Sequence, residues 1–173
     1  MTAIPVLMAA AWLLGAESAK PHIKAALAAY EAGRAAEKEK QFQHAVDSFH
    51  RAIEIEPTFM DAHEHLIKVN LDAGQRLEAA ACITRFLEIQ PTALGYRNTL
   101  GTILLEQNQT ERALAQFSLV LQRDPFNADG LLGFATAARQ SGMEDRAADA
   151  IERGRKRYPF DERFRSLSSA PPK

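Results

Sequence analysis

The 173-residue chain is 46% hydrophobic, enough for a continuous core in one domain or a short array, and its 21 Lys/Arg and 22 Asp/Glu leave a formal charge of -1. That balance excludes an overall field favouring nucleic acid or an anionic membrane, so partner selection must be local. The one cysteine, Cys82, excludes an internal disulfide framework and fixes no redox compartment.

In chain order the first predicted element is an uncharged apolar run from Ala3 to Ala16. As a helix it spans roughly 21 Å, short of the roughly 30 Å hydrocarbon core, which argues against a transmembrane helix and for a targeting segment. Ala16 and Ser18 supply the small residues that signal peptidase needs and place cleavage after Ser18, although no Lys or Arg precedes the run. No lipobox-type cysteine follows it to carry a lipid anchor. Residues 1–19 are therefore expected to be a signal peptide, giving a periplasmic or secreted location and only transient membrane contact. The alternatives are an extra helix over the first repeat in a cytoplasmic protein, or a chain that begins further upstream.

Beyond it the sequence is periodic. Pro57, Pro91, Pro125 and Pro159 recur every 34 residues, and twelve residues before each stands Ala45, Ala79, Ala113 or Ala147. Between them run two apolar ladders at helical spacing, Phe49, Ile83, Phe117 and Ile151, then Ala52, Phe86, Val120 and Gly154. The alanines predict close helix crossings, where a larger side chain would push the axes apart. The prolines predict helix ends, because proline lacks an N–H and biases its predecessor out of the helical region. Gly74, Asn108 and Gly142 stand at the turns inside each pair, with Lys40 in the first. Thr58, Thr92 and Asn127 are expected near N-caps of the following helices, and Thr110 before the second helix of the third pair.

This pattern resembles the tetratricopeptide repeat family, over about residues 26 to 161, in units 26–59, 60–93, 94–127 and 128–161. Its Leu-Gly pair is whole only as Leu100 and Gly101, and its first aromatic is replaced by Ala29, His63, Arg97 and Leu131. The resemblance implies an all-α, right-handed superhelical solenoid of four antiparallel helix pairs. Residues 20–161 form the array, and 162–173 a short cap and disordered tail, in which Phe160, Phe164 and Leu167 are candidates to seal the last pair.

It further implies a protein-interaction scaffold whose first helices, the A helices, line a concave groove. The family's groove positions fall here on Tyr30, Arg34, Asp61, Glu64, Lys68, Leu71, Asn98, Thr102, Leu105, Leu132, Thr136 and Arg139. Glu37 lies on the same face. Leucines there would anchor a peptide, with Asn98 and Arg139 on its backbone; packing under neighbouring helices is the competing reading for each leucine. The clamp by which chaperone-tail binding relatives hold a terminal carboxylate is missing, since Tyr30, Arg34, His65, Gly95 and Thr99 occupy the matching positions.

Chemistry of the chain's own is not expected. His22, His44, His50, His63 and His65 include no i, i+4 pair, and His63 and His65 point about 200° apart on a helix, so no metal site is predicted. His63 falls on a packing position and reads as a core histidine, His65 as a groove-edge polar residue, and Cys82 as an inert thiol. No phosphate loop, nucleophile elbow or metal signature is present. No cofactor and no small-molecule substrate are expected. The basic run Arg153 to Arg157 reads first as a complement to a helix dipole and only second as a nucleic-acid contact. The sequence therefore points to a protein or peptide ligand in the cell envelope, with a cytoplasmic adaptor or an enzyme's regulatory arm as alternatives, and leaves oligomeric state open.

Overall fold

In a computed structural model, which describes residues 4–169 and the side chains of 21–167, the described residues form α-helices and no strand. They are α1 (Ile4–Lys38), α2 (Phe42–Ile55), α3 (Met60–Asp72), α4 (Arg76–Ile89), α5 (Leu94–Glu106), α6 (Thr110–Arg123), α7 (Ala128–Gln140), α8 (Glu144–Arg157) and α9 (Glu162–Ser169). From α2 onward the odd-numbered helices start at 60, 94, 128 and 162 and the even-numbered ones at 42, 76, 110 and 144, so the 34-residue period of the sequence is the period of the backbone. The α9 helix takes the register of a further A helix. Residues 170–173, the end of the expected tail, lie outside the described part.

The chain divides into two compact units, Met1–Cys82 and Ile83–Lys173, with the boundary inside α4. In unit 1, α2 packs on α1 and α3; in unit 2, α5 to α9 pack consecutively. Single helices of about 14 residues are marginal in water, so each depends on the apolar face of its neighbour. The ladder alanines Ala45, Ala79, Ala113 and Ala147 are all fully buried. Close approach is equally visible at two glycines: a Cβ on Gly33 would lie 2.7 Å from the Phe49 ring, and one on Gly101 would lie 2.6 Å from that of Phe117. Each buried phenylalanine occupies the space that the facing glycine leaves empty.

The turns repeat as strictly as the helices. Lys40, Gly74, Asn108 and Gly142 all have positive φ, at 58°, 74°, 57° and 71°. In each turn the next residue's N–H reaches back five residues, from Gln41 to Ala36 O, Gln75 to Asn70 O, Gln109 to Leu104 O and Met143 to Ala138 O, at 2.8–2.9 Å. These bonds satisfy helix-terminal carbonyls that would otherwise lack partners.

After each register proline the freed carbonyl also finds a donor. His63 Nε2 donates to Pro57 O, Arg97 to Pro91 O and Arg165 to Pro159 O, each at 2.9 Å and six residues on; at Pro125, where the sixth residue is Leu131, Arg153 donates instead. This accounts for polar side chains where the family has its first aromatic. His63 is 2% exposed and is a hydrogen-bonded core histidine.

All four threonine and asparagine positions lie at or beside a helix start, as expected, but only one of them forms the cap itself. Asn127 is an N-cap, its Oδ1 accepting from Gly130 N at 2.9 Å. The caps of α3, α5 and α6 are instead Phe59, Ala93 and Gln109, none with a side-chain cap bond, one residue beyond Thr58 and Thr92 and one before Thr110. Thr58 Oγ1 turns back to donate to Glu56 Oε1 at 2.5 Å. The last turn is closed by Phe164, fully buried and stacked on Tyr158 with ring centroids 6.1 Å apart, with Leu167 half-buried. Phe160 takes no part and is 88% exposed.

Candidate functional site

In unit 1 the A helices α1 and α3 and the turn after α1 border an open cleft of about 860 Å³, lined by Arg34, Glu37, Lys38, Lys40, His65 and Lys68 among others. Its wall is tied together by Glu37. One carboxylate oxygen accepts from His65 Nδ1 at 2.6 Å and the other from Lys68 Nζ at 2.5 Å, and Lys68 also pairs with Asp72 at 3.1 Å, one turn on along α3. Burial alone would push the Glu37 carboxyl up, but the hydrogen bonds and charges of Lys68 and His65 outweigh it and hold the group below its ordinary value. Glu37 and Asp72 in turn raise the Lys68 ammonium. The imidazole of His65 lies between two rings, stacked on Phe49 at 5.4 Å and edge-on to Tyr30 at 5.5 Å.

The structure places the expected groove residues unevenly. Arg34, Asp61, Glu64 and Lys68 are exposed and Leu71 half-buried. Arg34 lies over the Tyr30 ring at 5.9 Å from its centroid. Tyr30 itself is a correction: only 7% exposed, it packs with Phe49 and Phe59 and supports the cleft floor from inside. Burial raises its phenol pKa.

In unit 2 the face of α5 and α7 carries Thr102, exposed, with Leu105, Leu132, Thr136 and Arg139 half-buried. Both threonines donate to their own helix, Thr102 to Asn98 O at 3.1 Å and Thr136 to Leu132 O at 2.9 Å. Leu105, Leu132 and Arg139 are the other partly accessible side chains of that set. Arg139 lies 3.8 Å from Glu144. Asn98 is the second correction: it is 8% exposed, and its amide donates to Asn127 Oδ1 at 2.8 Å, the same oxygen that caps α7. It holds a helix start and is turned away from solvent.

The sequence places Glu37 and His65 separately without joining them, marks Lys40 only as a turn residue, and gives no sign of Lys38 or Asp72 at the site. The available signal was separation: Glu37 stands 28 and 31 residues before His65 and Lys68, close to one repeat, which sets them on neighbouring A helices. Among the described residues, no three His, Cys, Asp or Glu side chains come together as a metal site. In the basic run, Arg153 and Lys156 pair with Asp149 and Glu152 on the same helix, and Arg157 lies over the Tyr158 ring.

Repeated helix hairpins with an open A-helix face define the class of helical-repeat scaffold proteins. Tetratricopeptide repeat models match residues 26–59, 65–128 and 104–170, and the chain belongs to the tetratricopeptide repeat family. Solved structures share the fold at low identity. The chain is similar to YrrB, described as a tetratricopeptide repeat protein with an unusual peptide-binding site, at 20% identity and a TM-score of 0.72, over 98% of this chain and 93% of that one. It is similar to the MamA protein at 16% identity and a TM-score of 0.74, over 83% and 79%. A tetratricopeptide repeat protein from Parabacteroides merdae gives 16% and 0.75, over 84% and 58%. No curated protein sequence matches the chain.

Proposed function

We propose that the chain is an interaction scaffold that seats a segment of a partner protein on its A-helix faces, with the unit 1 cleft as the main seat, and that it acts without chemistry of its own. The observation that carries this reading is the open cleft of about 860 Å³, which falls on the face where repeat proteins present their ligand surface. The shared fold with YrrB, a tetratricopeptide repeat protein with an unusual peptide-binding site, supports it. In unit 2, Leu105 and Leu132 supply apolar anchors beside Arg139.

We further propose that residues 1–18 direct export to the cell envelope. Pro21 supports this, because α1 carries it inside the helix, where a proline removes a hydrogen bond and costs about 3 kcal/mol. After cleavage behind Ser18 the same proline falls in the first turn, where its missing N–H has no partner to lose. Residues 21–25 are all exposed, and Ala26 is buried. Mass spectrometry of the mature N-terminus decides: a chain beginning at Ala19 supports export, and one retaining Met1 or Thr2 in the cytosolic fraction makes it a cytoplasmic adaptor.

The binding reading is tested by selecting random 12-residue peptides from a phage library on the full chain. Ala35→Trp, at an exposed cleft position, and Leu105→Asp should each leave the melting curve nearly unchanged and reduce binding at least tenfold for peptides seated on that face. Enrichment of no peptide, or binding indifferent to both variants, rejects the scaffold role.

A further inference from the structure

We propose that the unit 1 cleft selects acidic side chains, with Lys40, Lys38 and Arg34 as the cations that read them; this rests on the scaffold role above. The charges lining the cleft are four cations, Arg34, Lys38, Lys40 and Lys68, with His65, against the three acids Glu31, Glu37 and Asp72. Two of those acids are already engaged, Glu37 by His65 and Lys68, and Asp72 by Lys68. That leaves Arg34, Lys38 and Lys40 facing Glu31 alone. Lys38 and Lys40 make no ion pair among the described residues, and Arg34 is steadied by the Tyr30 ring.

Lys40 adds an independent observation. At φ 58° it sits in the left-handed region, where its counterparts one, two and three repeats on are Gly74, Asn108 and Gly142, residues that adopt that conformation readily. A lysine there carries local strain that glycine would relieve. The helix dipole explains Lys38, in the last turn of α1, but it gives no reason for a strained cation past the helix end. Strain of this kind gathers where a side chain is needed for binding. Lys40 lines the cleft and is exposed, so the strained backbone delivers an ammonium to the site. The occupant that complements this rim is an extended peptide bearing Asp or Glu side chains. Pairing of Glu37 and Asp72 with Lys68, and of Glu37 with His65, reduces the repulsion that those two carboxylates would offer.

The test uses the peptides selected above, synthesised with acetylated and amidated ends so that only side chains carry carboxylates. Cleft-binding peptides, identified by their loss on Ala35→Trp, should share Asp or Glu at one or two fixed positions, and their affinity should fall with added salt. Lys40→Gln should weaken binding about threefold and the Lys38→Gln/Lys40→Gln double variant about tenfold, the range expected of rim charges. Lys40→Gly should weaken it as much as Lys40→Gln while raising the melting temperature, a split that a purely structural lysine would not produce. Cleft peptides without shared acids, or with affinity unmoved by Lys40→Gln and the double variant, overturn the acidic preference and leave the scaffold role standing. So do peptides that bind only with a free terminal carboxylate. A library that yields no binder overturns both.

Discussion

The A-helix faces of the two units are built on the same backbone period and present different chemistry. In unit 1 the face is ionic: Glu37, His65, Lys68 and Asp72 form one chain of contacts, and the turn beside them carries a lysine in a left-handed conformation. In unit 2 the corresponding face is leucine and threonine, its hydroxyls returned to their own helices, and its turns carry Asn108 and Gly142. Packing dictates the buried ladders in both units, with Ala45, Ala79, Ala113 and Ala147 equally buried. It dictates nothing about the open side. Period and composition thus separate cleanly, the first setting where the helices run and the second setting what each unit can hold.

The largest effects should come from breaking what the units share. Ala113 is fully buried on α6, and Ala113→Leu should overpack the crossing and lower stability by about 1–3 kcal/mol; an unchanged denaturation curve would refute the close crossing. A somewhat smaller loss should follow from Asn127→Ala, which removes the α7 cap and leaves the buried Asn98 amide without its acceptor, about 1–2 kcal/mol. Thr92→Ala in the same unit should be nearly silent, because Thr92 precedes the true cap. Equal losses in the two variants would remove the distinction drawn here between a working cap and a threonine that only looks like one.

The helix period, three of the four left-handed turns and the family were legible because each rests on residues with few substitutes: proline to stop, glycine or asparagine to turn, alanine to cross. Tyr30 and Asn98 were misread as groove residues because position within a helix fixes which way a side chain leaves the backbone, not whether a neighbour then covers it. Tyr30 is covered by Phe49 and Phe59, and Asn98 is drawn inward by Asn127. The Glu37 network was hidden because its members belong to two helices about one repeat apart, and ion pairing leaves no periodic mark. Lys40 was visible as an exception to the turn pattern. Its meaning required the cleft beside it.

Exchanging the turn residues sharpens the comparison at about 1 kcal/mol. Lys40→Gly should stabilise the chain by roughly that amount, and Gly142→Ala should destabilise it similarly, since a Cβ at Gly142 meets nothing within 4 Å and only its φ of 71° resists. Opposite signs in the two melting temperatures are expected; matching signs would show that the turns are not equivalent.

The smallest effect distinguishes the units by pH. Glu37 has its carboxyl held below the ordinary value of 4.5 in the folded chain, so its contribution to stability is complete above the unfolded value and is lost as pH falls through the folded one. The part of stability due to this network should therefore fade below about pH 4.5, and by less than about 1 kcal/mol because Lys68 is solvent-screened. Glu37→Gln should flatten that part of the acid limb, because the amide does not titrate. An acid limb identical in Glu37→Gln and the unaltered chain would mean that the His65 and Lys68 contacts contribute nothing in solution.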